Sequence, residues 1–167
     1  RVVPELHPLS ADHGPAVLAF EIENRDYFAG SISDRGDEFF ERFAEVLAAR
    51  LAEQEDGSGA YYVLVAGDGA ILGRFNLIFV DGGVAELGYR VARQTAGRGV
   101  ATAYVRELCG FAASQHGIRT IRAATSHSNV ASQRILLNNG FRPAGDAAPA
   151  DIGGKSGTWY ELDLVDG

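Results

Sequence analysis

The stretch ELGYRVARQTAGRGVA, residues 86–101, holds the residue types best suited to binding chemistry in this chain. A strand-like run ends at Val91 or Ala92, and the loop over residues 93–98 delivers the chain into a helical pattern. Glycine reaches backbone angles closed to other residues, so Gly97 and Gly99 can turn successive N–H groups toward one anion. The helix that follows adds the partial positive charge of its N-terminus. A diphosphate suits such a loop, with Arg98 or Arg93 beside it. Two glycines before a helix also serve simply as a turn, and the loop alone leaves that alternative open. Other nucleotide loops fit poorly. A Walker loop needs Lys followed by Ser or Thr after its last glycine, where this chain has Val100 and Ala101. The dinucleotide fingerprint needs Gly or Ala where Thr102 stands, within a parallel βαβ unit.

Gln94-Thr95-Ala96-Gly97-Arg98-Gly99 resembles the Gln/Arg-x-x-Gly-x-Gly/Ala coenzyme A loop of the GNAT superfamily of N-acetyltransferases. Asn129-Val-Ala-Ser132, followed by Gly140-Phe141, is similar to that family's Asn-x-x-Ser helix and the Gly-Phe opening its next strand. These motifs cover residues 86–141, while the order of strands and helices fits nearly the whole chain. The Glu86-Leu87-Gly88-Tyr89 strand and the Asn-x-x-Ser helix look most like the branch acetylating N-terminal amines of ribosomal proteins. The resemblance implies an α/β fold with a mixed, mostly antiparallel central sheet of about seven strands and about four flanking helices. It implies a sheet splayed where the strand ending near Val91 parts from the one ending near Ser126, with pantetheine in the gap. Acetyl-CoA is the implied cosubstrate, with no metal. Its implied contacts are the backbone of Tyr89, Arg90 and Val91, the segment Gln94, Ala96, Gly97, Arg98, Gly99, Val100 and Ala101, and Asn129 and Ser132 from the other side.

An amine attacks a thioester only when unprotonated, and an α-amino group of pKa about 8 is already roughly a tenth free at neutral pH. Little base strength is therefore required. The resemblance places Glu86 as that base, acting through water and bordering the acceptor; its alternative is a solvent-facing carboxylate, since alternation alone does not fix its face. The departing thiolate gains from a hydrogen-bond donor. Many family members supply a tyrosine farther along the second helix, but Leu136 stands there, so the role passes to Ser132 or to water. Ser132 could instead bond back to a helical carbonyl. Tyr27 and Phe28 fall where the family borders its acceptor pocket, or they close the core. Cys109 reads as a small buried hydrophobe, and His127 has no second histidine at metal-ligand spacing.

The elements that must position these residues follow from periodicity. Residues 2–9 predict a strand, and Ser10 a cap for a helix to about Asn24. Residues 25–33 break the pattern, and Phe39, Phe43, Val46, Leu47 and Leu51 mark an amphipathic helix from Asp34 or Asp37. Residues 61–66, 71–80 and 84–91 predict an antiparallel meander with Gly-rich turns. A helix over residues 99–115, a strand over 119–126, a short helix over 129–138 and a strand from Phe141 follow. A loop over 145–157 leads to a closing strand over 158–165.

Composition sets the outer limits. With 167 residues, 46% hydrophobic and 22% charged, the chain predicts one globular domain. The single Cys109 excludes an internal disulfide and a Cys-based zinc cluster, and fits a reducing, cytoplasmic setting. No apolar run approaches the roughly 18 to 20 residues needed to span a bilayer, and residues 1–20 lack an export signal pattern, so no membrane partner is expected. A net charge of −7 argues against nucleic acid as a partner. The expected partner is an amine acceptor, possibly a ribosomal protein N-terminus; a small amine (amino acid, polyamine or aminoglycoside) and a noncatalytic acyl-CoA-binding domain are the alternatives. A monomer or a homodimer is expected.

Overall fold

Three consecutive runs rich in β-branched and aromatic residues build the centre of the molecule. In the computed structural model, which describes residues 3–164, they form β2 (Gly59–Val65), β3 (Ile71–Val80) and β4 (Val84–Val91), paired antiparallel as expected. β1 (Glu5–Pro8) pairs outside β2. After the helix α5 (Val100–His116), the chain returns as β5 (Thr120–Ser126), parallel to β4. With β7 (Gly157–Asp163) and β6 (Arg142–Ala147) the sheet has seven strands in the order β1-β2-β3-β4-β5-β7-β6. Val2 and Val165, assigned to strands from the sequence, lie outside the described residues.

The one parallel pairing among the described residues is short. β4 meets β5 at Val84 with Thr120, Ala85 with Ile121 and Glu86 with Arg122, and there the ladder ends. β4 continues beside β3 to Val91, while β5 continues beside β7 to Ser126. The β5-facing edge of β4 over residues 87–91 therefore has no strand partner among the described residues. Gly157 helps draw β5 away. A Cβ there would fall 2.1 Å from the Thr125 carbonyl oxygen, so only glycine lets the end of β5 lie this close to β7.

Two layers of helix cover the sheet. α1 (Gly14–Glu23), α2 (Arg25–Ala29), α3 (Asp37–Glu41) and α4 (Phe43–Asp56) pack against one face, burying Val17, Phe20, Phe28 and Phe43 with Tyr61 and Val63 of β2. α5 and α6 (Val130–Asn138) pack against the other, where Val105, Leu108 and Leu136 meet Leu64, Phe75 and Ile121. Each such fully buried side chain contributes about 1.5–3 kcal/mol. Among the described residues six helices stand where about four were expected, because the second is split in two and α2 forms within the expected break. Ala11–His13 is a 3-10 turn, Asn24 ends α1, and Arg42 at φ −112° separates α3 from α4. α2 occupies part of the expected break because Phe28 is drawn into the core beside Phe20, ring centres 5.5 Å apart. β6 runs beyond Gly145 into the expected loop by pairing with β7, since backbone pairing needs no apolar side chains. No described helix is long and apolar enough to cross a membrane.

One ion cluster locks α1 to the sheet. Register places Arg74 of β3 directly opposite Arg90 of β4, a like-charge pair that is unfavourable by itself. Glu21, on the sheet-facing side of α1 and only 1% exposed, answers both: Oε2 accepts from Arg74 Nη1 at 2.7 Å and Oε1 from Arg90 Nη1 at 3.0 Å. Arg35 adds a third guanidinium, its Nη2 donating to Oε2 at 3.1 Å. Burial alone would raise the Glu21 carboxyl, but Arg35, Arg90 and Arg74 outweigh it and hold it below the ordinary 4.5. Burial, joined by the neighbouring guanidiniums, lowers Arg90 to about 10, still charged at neutral pH.

Removing one member of a buried ion cluster leaves the others uncompensated, typically at a cost of about 3–5 kcal/mol. Glu21→Gln should lose that much in denaturant unfolding at pH 7. Because the folded-state pKa is depressed, the contribution is complete above the unfolded value and disappears as pH falls through the folded one. The gap between wild type and variant should therefore close below about pH 4. A variant as stable as wild type at pH 7 would contradict this account of the cluster.

Candidate active site

Two anchors fix the loop that follows β4. Ala92 N–H donates to the Leu72 carbonyl at 2.8 Å, and Arg93 N–H donates to Asn24 Oδ1 at 2.9 Å. Asn24 is buried and also donates through Nδ2 to the Phe20 carbonyl, so the break between α1 and α2 positions the start of the loop. A 3-10 turn over Arg93–Thr95 then leads to Gly97 at φ +74° and Gly99 at φ +73°. These angles favour glycine, and the space a Cβ would take at either is open. Ala96 N–H still bonds the Arg93 carbonyl, and bonding resumes with Ala103 N–H to the Gly99 carbonyl. Between them, among the described residues, the amides of residues 97–102 donate to no acceptor in good geometry. A cavity of about 370 Å³ runs along them, lined by Ala96, Gly97, Gly99, Val100, Ala101 and Thr102, with Arg134 of α6 opposite. Gln94 and Arg98 are exposed and do not line it.

This cavity shares Tyr27, Val91, Ala101 and Ile135 with a smaller one of about 110 Å³, bordered by Tyr89, Arg90, Asn129 and Ser132. The Asn-x-x-Ser spacing has a local cause. Asn129 caps α6 by accepting from Ser132 N–H at 3.2 Å, and Gln133 ties the first turn to the Ser126 and His127 carbonyls. At its other end, Phe141 N–H bonds the Leu136 carbonyl and Gly140 N–H the Leu137 carbonyl, a Schellman motif that drops Phe141 into the core. Ser132 is thus held over β4, where its Oγ lies 2.9 Å from the Tyr89 hydroxyl. It does not bond back along its helix. Leu136 is fully buried, so the phenol at this site comes from β4, a source that sequence reasoning missed. Burial pushes the Tyr89 hydroxyl up to about 12, which keeps it a neutral donor.

On the far side of β4 lies a cavity of about 330 Å³ bordered by Arg35, Arg74, Asn76, Gly88, Tyr89 and Arg90. It shares Ile32, Tyr89 and Arg90 with the middle cavity. Two loops meet over it: Ser33 Oγ donates to the Gly153 carbonyl at 2.6 Å, and Lys155 Nζ to the Ser31 carbonyl at 3.4 Å. A wedge of about 130 Å³ between the parted strands, bordered by Leu87, Gly88, Thr125 and Ser126, joins the same space. Four adjoining cavities thus lead from the Gly97–Gly99 turn, past Tyr89 and Ser132, to the arginine side.

The remaining assigned residues fall around this path. Glu86 points to the face of Gly88 and Arg90, two residues short of Gly88, and pairs with Arg122 at 3.4 Å without lining any of the four cavities. Tyr27 borders the two cavities nearest the loop, and Phe28 is buried with the Arg90 guanidinium 4.7 Å above its ring. Neither borders the arginine cavity. Cys109 is buried, which pushes its thiol up to about 12, far from a nucleophilic thiolate. No cluster of potential metal ligands occurs among the described residues. Sequence reasoning missed Glu21, Asn24, Arg35 and Arg74. The signal available was a charged residue in an apolar slot: Glu21 within AVLAFEIE and Arg74 within ILGRFNLIFV.

The profile of the Acetyltransferase (GNAT) domain matches residues 5–142. Probable N-acetyltransferase YjcK of Bacillus subtilis (strain 168) is 25% identical over 150 residues, spanning 85% of this chain and 82% of that protein. Ribosomal-protein-S5-alanine acetyltransferase from Vibrio fischeri shares the fold with a TM-score of 0.88 at 18% identity, covering 99% of this chain and 98% of that one. Spermidine N-acetyltransferase from Vibrio cholerae, solved with CoA and spermine, has a TM-score of 0.79 at 15% identity, covering 96% and 95%. The matched region holds both the glycine turn and the Asn129–Ser132 helix start, and by it the chain belongs to the GNAT acetyltransferase family.

Proposed function

We propose that this chain transfers the acetyl group of acetyl-CoA to the α-amine at the N-terminus of a peptide or protein. The carrying observation is what the path lacks: among the described residues bordering its four cavities, none is Asp, Glu or His. An acceptor must then bring a largely free amine. An α-amine of pKa about 8 does so near neutrality, whereas an alkyl amine of pKa about 10.4 is free in fewer than about one molecule in a thousand. Neighbouring guanidiniums depress an amine further, since like charge disfavours the ammonium. The likeness to the S5-alanine acetyltransferase supports the same reading.

In this reading the amides of residues 97–102 hold the diphosphate of the cosubstrate, with Arg134 adding charge. The unpaired edge of β4 at residues 87–91 bonds the pantetheine amides and polarises the thioester carbonyl. The amine enters from the Gly88 side, attacks that carbonyl and loses a proton to water, which Glu86 on the same face accepts. The carbon–sulfur bond then breaks. Tyr89 donates to Ser132 Oγ, with the Ser132 carbonyl a second acceptor at 3.4 Å, which leaves the Ser132 O–H to stabilise the departing sulfur.

Ser132→Ala and Tyr89→Phe should each lower kcat by about tenfold to a hundredfold. KM for acetyl-CoA should stay within about twofold, and the double variant should fall little further, because the two hydroxyls act as a unit. Normal turnover in both variants would remove the pair from the reaction. The acceptor class is read by thiol release from acetyl-CoA. Peptides with free N-termini should turn over, with rates rising with pH and levelling at or below about pH 8 as the α-amine deprotonates. Turnover on spermidine or lysine side chains, with free N-termini inert, would overturn the proposal.

A further inference from the structure

We infer that the acceptor is an anionic amine, its carboxylate or phosphate binding among Arg35, Arg74 and Arg90 beside the reacting nitrogen. This rests on the reading of the arginine cavity as the acceptor side of an acetyltransferase. Arg35, Arg74 and Arg90 all line that one cavity, and no Asp or Glu does. The acid that meets them is Glu21, behind the wall, whose two oxygens serve all three. Three cations against one anion leave two positive charges in a chain whose overall charge is −7. The acids around this cavity are paired elsewhere: Asp34 and Asp37 with Arg25, and Glu86, on the same face of β4, with Arg122.

Fold stability does not explain the excess. A single arginine would neutralise Glu21, and setting Arg74 directly opposite Arg90 adds repulsion. Among the described residues, Arg74 and Arg90 each bond the chain through Nη1 alone, so each keeps N–H donors in the fork geometry that matches a carboxylate or phosphate. The phosphates of the cosubstrate are not the missing anion. Their loop borders a cavity that shares no residue with the arginine cavity. Because Ile32, Tyr89 and Arg90 border both the arginine and the middle cavities, an anion here lies close to the amine it accompanies. A free amino acid offers such an anion as its own carboxylate, and a peptide offers it as an acidic side chain within its first residues.

The test compares kcat/KM for peptides identical except for Glu, Gln or Lys at the second residue, together with free glutamate and spermidine. Glu should exceed Gln by about tenfold and Lys by more, and the ratio should shrink in about 0.5 M salt. Arg35→Gln removes the most exposed of the three cations. It should bring the Glu and Gln peptides within about twofold of one another while KM for acetyl-CoA is unchanged. Thermal unfolding of Arg35→Gln reports its fold, and the salt response of the wild type tests the inference independently of any variant. Equal rates on all three peptides, or a Lys peptide or spermidine preferred, would overturn the inference while leaving acetylation of N-termini in place. Acetylation of free glutamate with every peptide inert would leave the anion site standing and overturn the N-terminal reading instead.

Discussion

The β4–β5 ladder ends after three residue pairs, and the site depends on that ending. Had the strands stayed paired to Val91 and Ser126, the backbone groups of residues 87–91 would be spent within the sheet. Parting exposes polar backbone inside a packed domain, which is costly unless something answers it. The strands are held apart from both sides. Gly157 lets the end of β5 settle onto β7, while Asn24 and Leu72 pin the far end of β4 through Arg93 and Ala92. The result is an edge aligned with the amides of the glycine turn and leading past Tyr89 and Ser132.

Charge organises the opposite face. Glu21 allows three arginines to gather on an acidic protein, and it does so from a helix whose other role is to close the core with Val17 and Phe20. The same α1 carries Asn24 at its end, so one short helix positions both the cationic wall and the start of the glycine loop. Packing and site geometry are therefore coupled. A change that tilts α1 would alter the two ends of the path together.

Local chemistry was legible in the sequence and long-range chemistry was not. The meander, α5 and the turn at Gly97 and Gly99 could be read because periodicity and glycine act within a few residues. The Asn129–Ser132 spacing was read only through the family resemblance, and the structure gives it a local cause, a cap that bonds three residues on. The face of Glu86 needed the register of β3 and β4, which sets it with Gly88 and Arg90. The break after Asn24 depends on Arg93, 69 positions away, and the hydroxyl pair joins Tyr89 to Ser132, 43 positions away. Arg74 stands within an apolar strand run and went unread, because its meaning lies in Glu21, on an element that no local pattern connects to it. β6 was longer than its composition suggested because its pairing with β7 is carried by backbone.

Amide hydrogen exchange with and without acetyl-CoA measures the central claim directly, because it reads the backbone groups said to hold the cosubstrate. Residues 87–91 and 97–102 should slow by about tenfold or more at saturation, while β1 and β6, remote from the path, exchange as before. Saturating acetyl-CoA that leaves both segments unchanged, or that protects a different surface, would contradict the account.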